Sequence, residues 1–238
     1  MSDGLFSALT IFAGLLVAGL VLGALGPRKF RPNWLLVSGA LFLLNDAALT
    51  RCYGLFPNIL PGEWNWQGKL LALAITLVIA ATPWFGFRRS GLTLKQDRRG
   101  FIGVMLVSVL LLGLFTWFAL GSDDGKASVE TIAFQLTMPG LEEEPFYRGI
   151  LLLALNKAFL GRIRMLGIDW GLGALISSAL FGLAHAFGYS DGAYSFDLMT
   201  FALTGGPALV LVWIRERTGS LLLPILLHNF GNSIGLFI

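Results

Sequence analysis

Glu142-Glu143-Glu144-Pro145-Phe146-Tyr147-Arg148 lies inside one long apolar run, Ala127–Leu160. The whole chain has only 14 Asp+Glu in 238 residues, yet three of them stand consecutively here. A carboxylate at the centre of a bilayer costs at least about 2.5 kcal/mol on insertion scales. Three together persist only if they face a wet cavity, bind something, or share protons and partners. The stretch therefore reads as a functional site set in a membrane. Working outward, the chain is 55% hydrophobic and 13% charged, with a mean hydropathy of +0.75. A soluble domain carries about 25% charged residues. Half that share, with apolar runs near 20 residues in length, indicates an integral membrane protein built of helices.

Eight runs can be marked: Leu5–Leu25, Trp34–Leu49, Leu70–Phe87, Phe101–Leu120, Ala127–Leu160, Trp170–Phe187, Leu198–Ile214 and Leu221–Ile238. The expected fold is all-α, a polytopic transmembrane bundle of about eight spans, with a catalytic cavity within the membrane between the later spans. It forms one integral membrane domain over residues 1–238: N-terminal spans without a motif (5–120) and a motif-bearing core (127–238). Basic residues set orientation. With alternate loops assigned to the cytoplasm, those loops hold thirteen of the 17 Lys+Arg, while Arg51, Lys69 and Lys126 lie opposite and Arg148 lies within a span. Both termini then lie outside. The seven tryptophans, Trp34, Trp64, Trp66, Trp84, Trp117, Trp170 and Trp213, fall near segment ends, where the indole ring prefers the headgroup level.

Other features exclude functions. The net charge of +3 is spread over short loops and does not argue for nucleic acid. The single Cys52 excludes an intrachain disulfide and a Cys-rich metal site. Met1-Ser2-Asp3-Gly4 has no basic region, so no secretory signal is expected. Asn45-Asp46 reads as interhelical hydrogen bonding, Asp191 and Asp197 as solvated, and Gly205-Gly206-Pro207 as close helix packing or a kink. Pro139-Gly140 and Pro145 suggest that the fifth span is broken or kinked, and a helix restarting near Glu142–Pro145 would explain Pro145 and the acids. Glu142 is then either a third cavity acid or a charge near a helix start.

The chain has two histidines, His185 and His228, and each lies in an apolar run. Phe181 and His185 share a helix face, as do His228 and Asn232, and Glu144 and Arg148 stand in the i, i+4 order that suits an ion pair. Converging at membrane depth, these residues offer a carboxylate base, two imidazoles and an amide donor, a set suited to hydrolysis by an activated water.

Glu143-Glu144-x-x-x-Arg148-Gly149, Phe181-x-x-x-His185 and His228-x-x-x-Asn232 resemble the motif set of the CaaX prenyl protease and bacteriocin-processing (CPBP or Abi) family of intramembrane proteases. Flanking Ser177-Ser178-Ala179-Leu180, Thr218-Gly219-Ser220 and Pro224 look familial too, and the resemblance covers roughly residues 130–238. It implies peptide-bond hydrolysis inside the membrane. Glu143 would be the general base, His185 would help to hold the water, and His228 and Asn232 would donate to the oxyanion. Glu144 and Arg148 would form a supporting pair, with Phe181 in the motif before His185. Family members are commonly labelled metalloproteases, so a zinc version with His185, His228 and Glu143 as ligands stands beside a metal-free one. Asn232, a poor zinc ligand and a good oxyanion donor, favours no metal. The implied partners are a peptide or lipidated-peptide substrate and the lipid bilayer, and the implied location is the plasma membrane of a prokaryote. Two other readings remain, an ion- or proton-coupled transporter and a catalytically silent membrane binding or immunity protein of the same family. Confinement of the polar set to the second half favours the enzyme over the transporter.

Overall fold

The computed structural model describes residues 2–57, 59, 60, 62–98, 100–121 and 127–238. It is mainly helical. Helices α1 (Asp3–Ala24), α2 (Pro32–Thr50), α3 (Trp66–Ala81) and α4 (Phe101–Ala119) are followed by α5 (Val129–Glu144). A π-helical turn, Pro145–Leu151, then leads without a gap into α6 (Leu152–Ala158), and α7 (Leu172–Ala186), α8 (Leu198–Thr218) and α9 (Leu222–Ser233) complete the bundle. With α5, the π turn and α6 counted as one rod, the helical segments correspond one to one with the eight apolar runs. By length and composition α1, α2, α4 and α8 are long and apolar enough to cross a membrane, while α3 and α7 are shorter apolar helices. α4 shows why the surrounding solvent must be hydrocarbon: Ile102, Leu106, Val109, Leu110 and Trp117 on it are all exposed.

The rod Val129–Ala158 is the axis of the fold, about 45 Å long at the helical rise. All seven residues of the π turn are buried, and Phe146, Tyr147, Ile150, Leu151, Ala154 and Leu155 lie in the main hydrophobic cluster. A helix apolar all round belongs at the centre of a bundle. Of the expected break or kink at Pro139–Pro145, the break is not found: the helix continues, with a π-helical irregularity from Pro145. Pro145 opens the π turn with helical angles, so the absence of its N–H is absorbed by a change of helical pitch. Glu142 accordingly lies at the end of a continuous helix and not at a restart. Ser177 Oγ on α7 donates to the Tyr147 carbonyl of the π turn at 2.8 Å, which gives Ser177 a structural reason. On the other side, Asn229 of α9 brackets Pro139: its side-chain oxygen accepts from Gly140 N–H at 2.7 Å and its amide donates to the Thr137 carbonyl at 3.1 Å. A Cβ on Gly140 would meet that oxygen at 2.6 Å and the Ile225 carbonyl at 2.7 Å, so α5 and α9 touch backbone to backbone here.

Several boundaries differ from the sequence reading. α3 starts at Trp66, capped by Asn65, whose side chain accepts from Gly68 N–H. It stops at Ala81 and not at Phe87, because Pro83 forces Thr82 into extended backbone. Lys69 is therefore a helical residue and not a loop residue. α8 runs on to Thr218, so Arg215 and Arg217 occupy its last turn before Gly219 closes it at φ +71°. Thr218 and Ser220 are buried where this turn is tied to the segment after α3: Asp97 N–H donates to the Thr218 carbonyl and Leu221 N–H to that of Gly91. Gly182 and Gly205 bring α7 and α8 together, with a Cβ on Gly182 only 3.3 Å from the Gly205 Cα, so the close packing expected of Gly205-Gly206 holds at Gly205, while a Cβ on Gly206 would meet nothing within 4 Å. Two hairpins add to the helices: β1 (Ile163–Met165) with β2 (Ile168–Trp170), and β3 (Phe187–Ser190) with β4 (Ala193–Phe196). Both turn on a residue with positive φ followed by glycine, Leu166-Gly167 and Asp191-Gly192. Asp197 caps α8 by accepting from Met199 N–H, Thr200 N–H and the Thr200 hydroxyl, and these bonds hold its carboxyl below the usual range. The expectations placed on Arg99 and Lys126 lie outside the described residues.

Asn229→Ala strands the Gly140 N–H and the Thr137 carbonyl in a buried contact. Unpaired buried polar groups cost about 1–3 kcal/mol each. The variant should show a clearly lowered thermal midpoint in detergent, measured by loss of the monodisperse chromatographic peak on heating.

Candidate active site

α5 presents its three carboxylates in three directions. Glu142, fully buried, accepts from Lys69 Nζ on α3 at 2.8 Å and from the Asn45 amide on α2 at 3.2 Å. Glu144, also fully buried, accepts from His228 Nδ1 at 2.6 Å and lies 3.2 Å from Arg148 Nη1 one turn along the rod. Glu143 points between them. Its Oε1 is paired with Lys69, and its Oε2 lies 3.6 Å from His228 Nε2 and 4.0 Å from His185 Nε2, with no hydrogen-bond partner.

Both imidazoles are held by their other nitrogen. His185 Nδ1 lies 2.8 Å from the Phe181 carbonyl, an acceptor, so this nitrogen carries the proton. His228 Nδ1 faces the Glu144 carboxylate in the same sense. The two Nε2 atoms are thereby turned towards Glu143. Phe181 is the shared wall: its ring lies 4.5 Å from the His185 ring and 5.8 Å from that of His228. The Arg148 guanidinium sits 4.1 Å from the Phe181 ring centre. This cation–π contact serves a cation that is otherwise almost bare, since its nitrogens have no well-aligned hydrogen bond.

His185 reaches the cluster because α7 has only 15 residues. Its first turn packs on the end of α6, where a Cβ on Gly173 would meet the Asn156 backbone. Its last turn lies about 20 Å away, the depth at which Glu143 sits when counted back from Ala158.

A cavity of about 540 Å³ opens from this cluster. His185, His228, Asn232, Arg148 and Phe181 line its inner end, and Phe115 and Phe118 of α4 with Leu203, Pro207 and Leu211 of α8 make its apolar walls. Asn232 is exposed. Five of the seven expected site residues line this cavity, and Glu143 and Glu144 lie behind its lining, against His185, His228 and Arg148. The sequence reading missed Lys69, which it assigned to an outer loop as a topology marker. The signal was there in Asn65-x-x-Gly68, a helix cap that sets Lys69 in the first turn of α3. Asn45 makes the interhelical hydrogen bond that its sequence setting predicts, and its partner is the carboxylate of Glu142. Asp46 pairs with Arg51 at the end of its own helix.

Comparison with known proteins points to the same family as the motifs. Residues 125–234, a little under half of the chain, are similar to the family model described as "Type II CAAX prenyl endopeptidase Rce1-like". A protein of Escherichia coli described as "Uncharacterized 24.3 kDa protein" is 38% identical over 96 residues, which is 40% of this chain and 38% of that protein. The matched part is thus well under two thirds of the relative's length. No solved structure matches the chain significantly.

Removing one member of a buried ion pair costs about 3–5 kcal/mol. Arg148→Met should therefore reduce folded yield and thermal midpoint sharply, and Arg148→Lys should restore little, because a lysine cannot reproduce a planar guanidinium stacked on Phe181. Stability at the wild-type level in either variant, read in the same heating assay, would count against the pair.

Proposed function

We propose that this protein is an intramembrane endopeptidase that hydrolyses a peptide bond with water activated by Glu143. The observation that supports it most is the buried, unpartnered Glu143 Oε2, flanked by the Nε2 atoms of His185 and His228, whose rings line an apolar-walled cavity. In this reading a water lies between Glu143 Oε2 and His185 Nε2. Glu143 takes a proton from the water as its oxygen bonds to the scissile carbonyl carbon. Negative charge then develops on the carbonyl oxygen, where Asn232 and His228 Nε2 donate. His228 must carry both ring protons to do so, and the Glu144 carboxylate beneath Nδ1 stabilises that cation. Glu143 passes its proton to the departing amine as the C–N bond breaks. Donors fixed in a site of low dielectric are worth more than in water.

Zinc is the alternative for the same residues. His185, His228 and Glu143 supply the right donor types, and a bound ion would polarise the carbonyl and acidify a water. Ligands about 2.0–2.1 Å from a tetrahedral ion stand about 3.4 Å apart. The observed separations of 3.6 and 4.0 Å are wider, and among the described residues no three acidic, His or Cys side chains form a metal-sized group. Glutamate chemistry is therefore the version proposed.

The substrate class proposed is a peptide carrying an apolar or lipid group, which the aromatic and aliphatic walls suit. The proposed setting is the plasma membrane of a prokaryote, with the basic loops in the cytoplasm. That topology puts Cys52 outside, so an impermeant maleimide should label it in intact cells.

In proteoliposomes with prenylated and unprenylated CaaX peptides, Glu143→Gln and His228→Ala should each lower kcat by about 10²–10⁴-fold, the usual range for general acid–base catalysis, while the protein remains folded. Wild-type cleavage by either variant overturns the roles assigned. Activity unchanged after chelation, with no stoichiometric metal in the purified protein, is the expected result for glutamate chemistry.

A further inference from the structure

We propose that Lys69 is a positioning residue for Glu143, supplied from outside the region that carries the motifs. This rests on the reading of Glu143 as the base. Lys69 lies in the first turn of α3, well before residues 125–234, and its side chain is buried. Its ammonium touches two neighbouring carboxylates, Glu142 Oε2 at 2.8 Å and Glu143 Oε1. Glu142 has a second donor in Asn45, whereas Lys69 is the one group hydrogen-bonded to Glu143 among the described contacts.

Two consequences follow from that geometry. Three adjoining carboxylates face Lys69, Arg148 and, in the proposed mechanism, the His228 cation, and of these Arg148 and His228 contact Glu144. Lys69 is thus the one cation bonded to both of the other two acids. Second, an ammonium fixed on Oε1 sets the rotation of the Glu143 carboxylate, so that Oε2 alone faces His185 and His228. Without it, the carboxylate is free to turn away or to take a proton shared with Glu142. A misplacement of about 1 Å in a reacting group costs up to about 10²-fold in rate.

The test must separate positioning from charge balance. Lys69→Met/Glu142→Gln removes one cation and one anion, so the formal charge of the cluster is unchanged, while Glu143 loses its anchor. Folded protein with kcat lowered at least tenfold and KM within twofold of wild type is expected. Glu142→Gln alone, which keeps the Lys69–Glu143 contact, should retain most of kcat. A folded double variant with wild-type kcat overturns the inference and leaves Lys69 as a neutralising charge only. If the double variant does not fold, Lys69→Arg decides. It keeps the charge, but its longer planar fork cannot hold Oε1 in the same place, so at least a tenfold loss of kcat at unchanged KM is expected and wild-type kcat overturns the inference. Glu143→Gln, run alongside, keeps the two failures apart. If it still cleaves, the reading of Glu143 as base fails. If it is dead and the Lys69 variants match wild type, only the role of Lys69 fails.

Discussion

Three consecutive carboxylates on a helix at the centre of a membrane bundle must each find compensation, and most of the architecture serves that need. Glu144 takes Arg148 from its own rod and His228 from α9, while Glu142 takes Lys69 from α3 and Asn45 from α2. The π turn keeps Arg148 within reach of Glu144 and lays its guanidinium on Phe181. Consecutive helical residues point about 100° apart, so the three acids reach different sets of neighbours, with Lys69 shared by Glu142 and Glu143, and the rod Val129–Ala158 becomes the hub to which α2, α3, α7 and α9 are tied. Buried ion pairs contribute little net stability compared with apolar packing. Their worth here lies in specifying which helices meet and at what depth.

The catalytic reading depends on that framework. A base in a dry site needs its charge retained, its direction fixed and its neighbours oriented. Nδ1 of each histidine is occupied, by a main-chain carbonyl for His185 and by Glu144 for His228, so that both rings turn Nε2 to the same oxygen of Glu143. Phe181 packs on both rings and on Arg148, which explains why an aromatic stands one turn before His185.

Much of this was legible in the sequence for a simple reason: a polar residue in an apolar run is an anomaly, and the anomalies here converge. His185, His228 and the acids stand out because nothing nearby resembles them. Lys69 does not stand out, because it lies where an apolar run begins and a basic residue there looks like a loop marker. Asn229 was overshadowed by His228 beside it, and only the approach of Gly140 shows what its amide does. Pro145 pointed to a break, since composition cannot reveal that a helix will widen its pitch. The turns Leu166-Gly167 and Asp191-Gly192 carried a hairpin signal, but the strands are only three and four residues long, too short for alternation to register.

The brevity of α3 and α7 bears on how the proposed hydrolysis would obtain its water inside hydrocarbon. Each is about 22–24 Å long at the helical rise, against a bilayer core of about 30 Å. Lys69 lies one turn from the start of α3, and His185 in the last turn of α7, at the same end of the bundle under the topology read from the loop charges. A helix shorter than the hydrocarbon layer draws the polar boundary inward or thins the lipid beside it. The polar boundary is thus drawn down towards the carboxylates, and hydration has less hydrocarbon to cross to reach a site that sits halfway along a 45 Å rod (about 1.5 Å per residue).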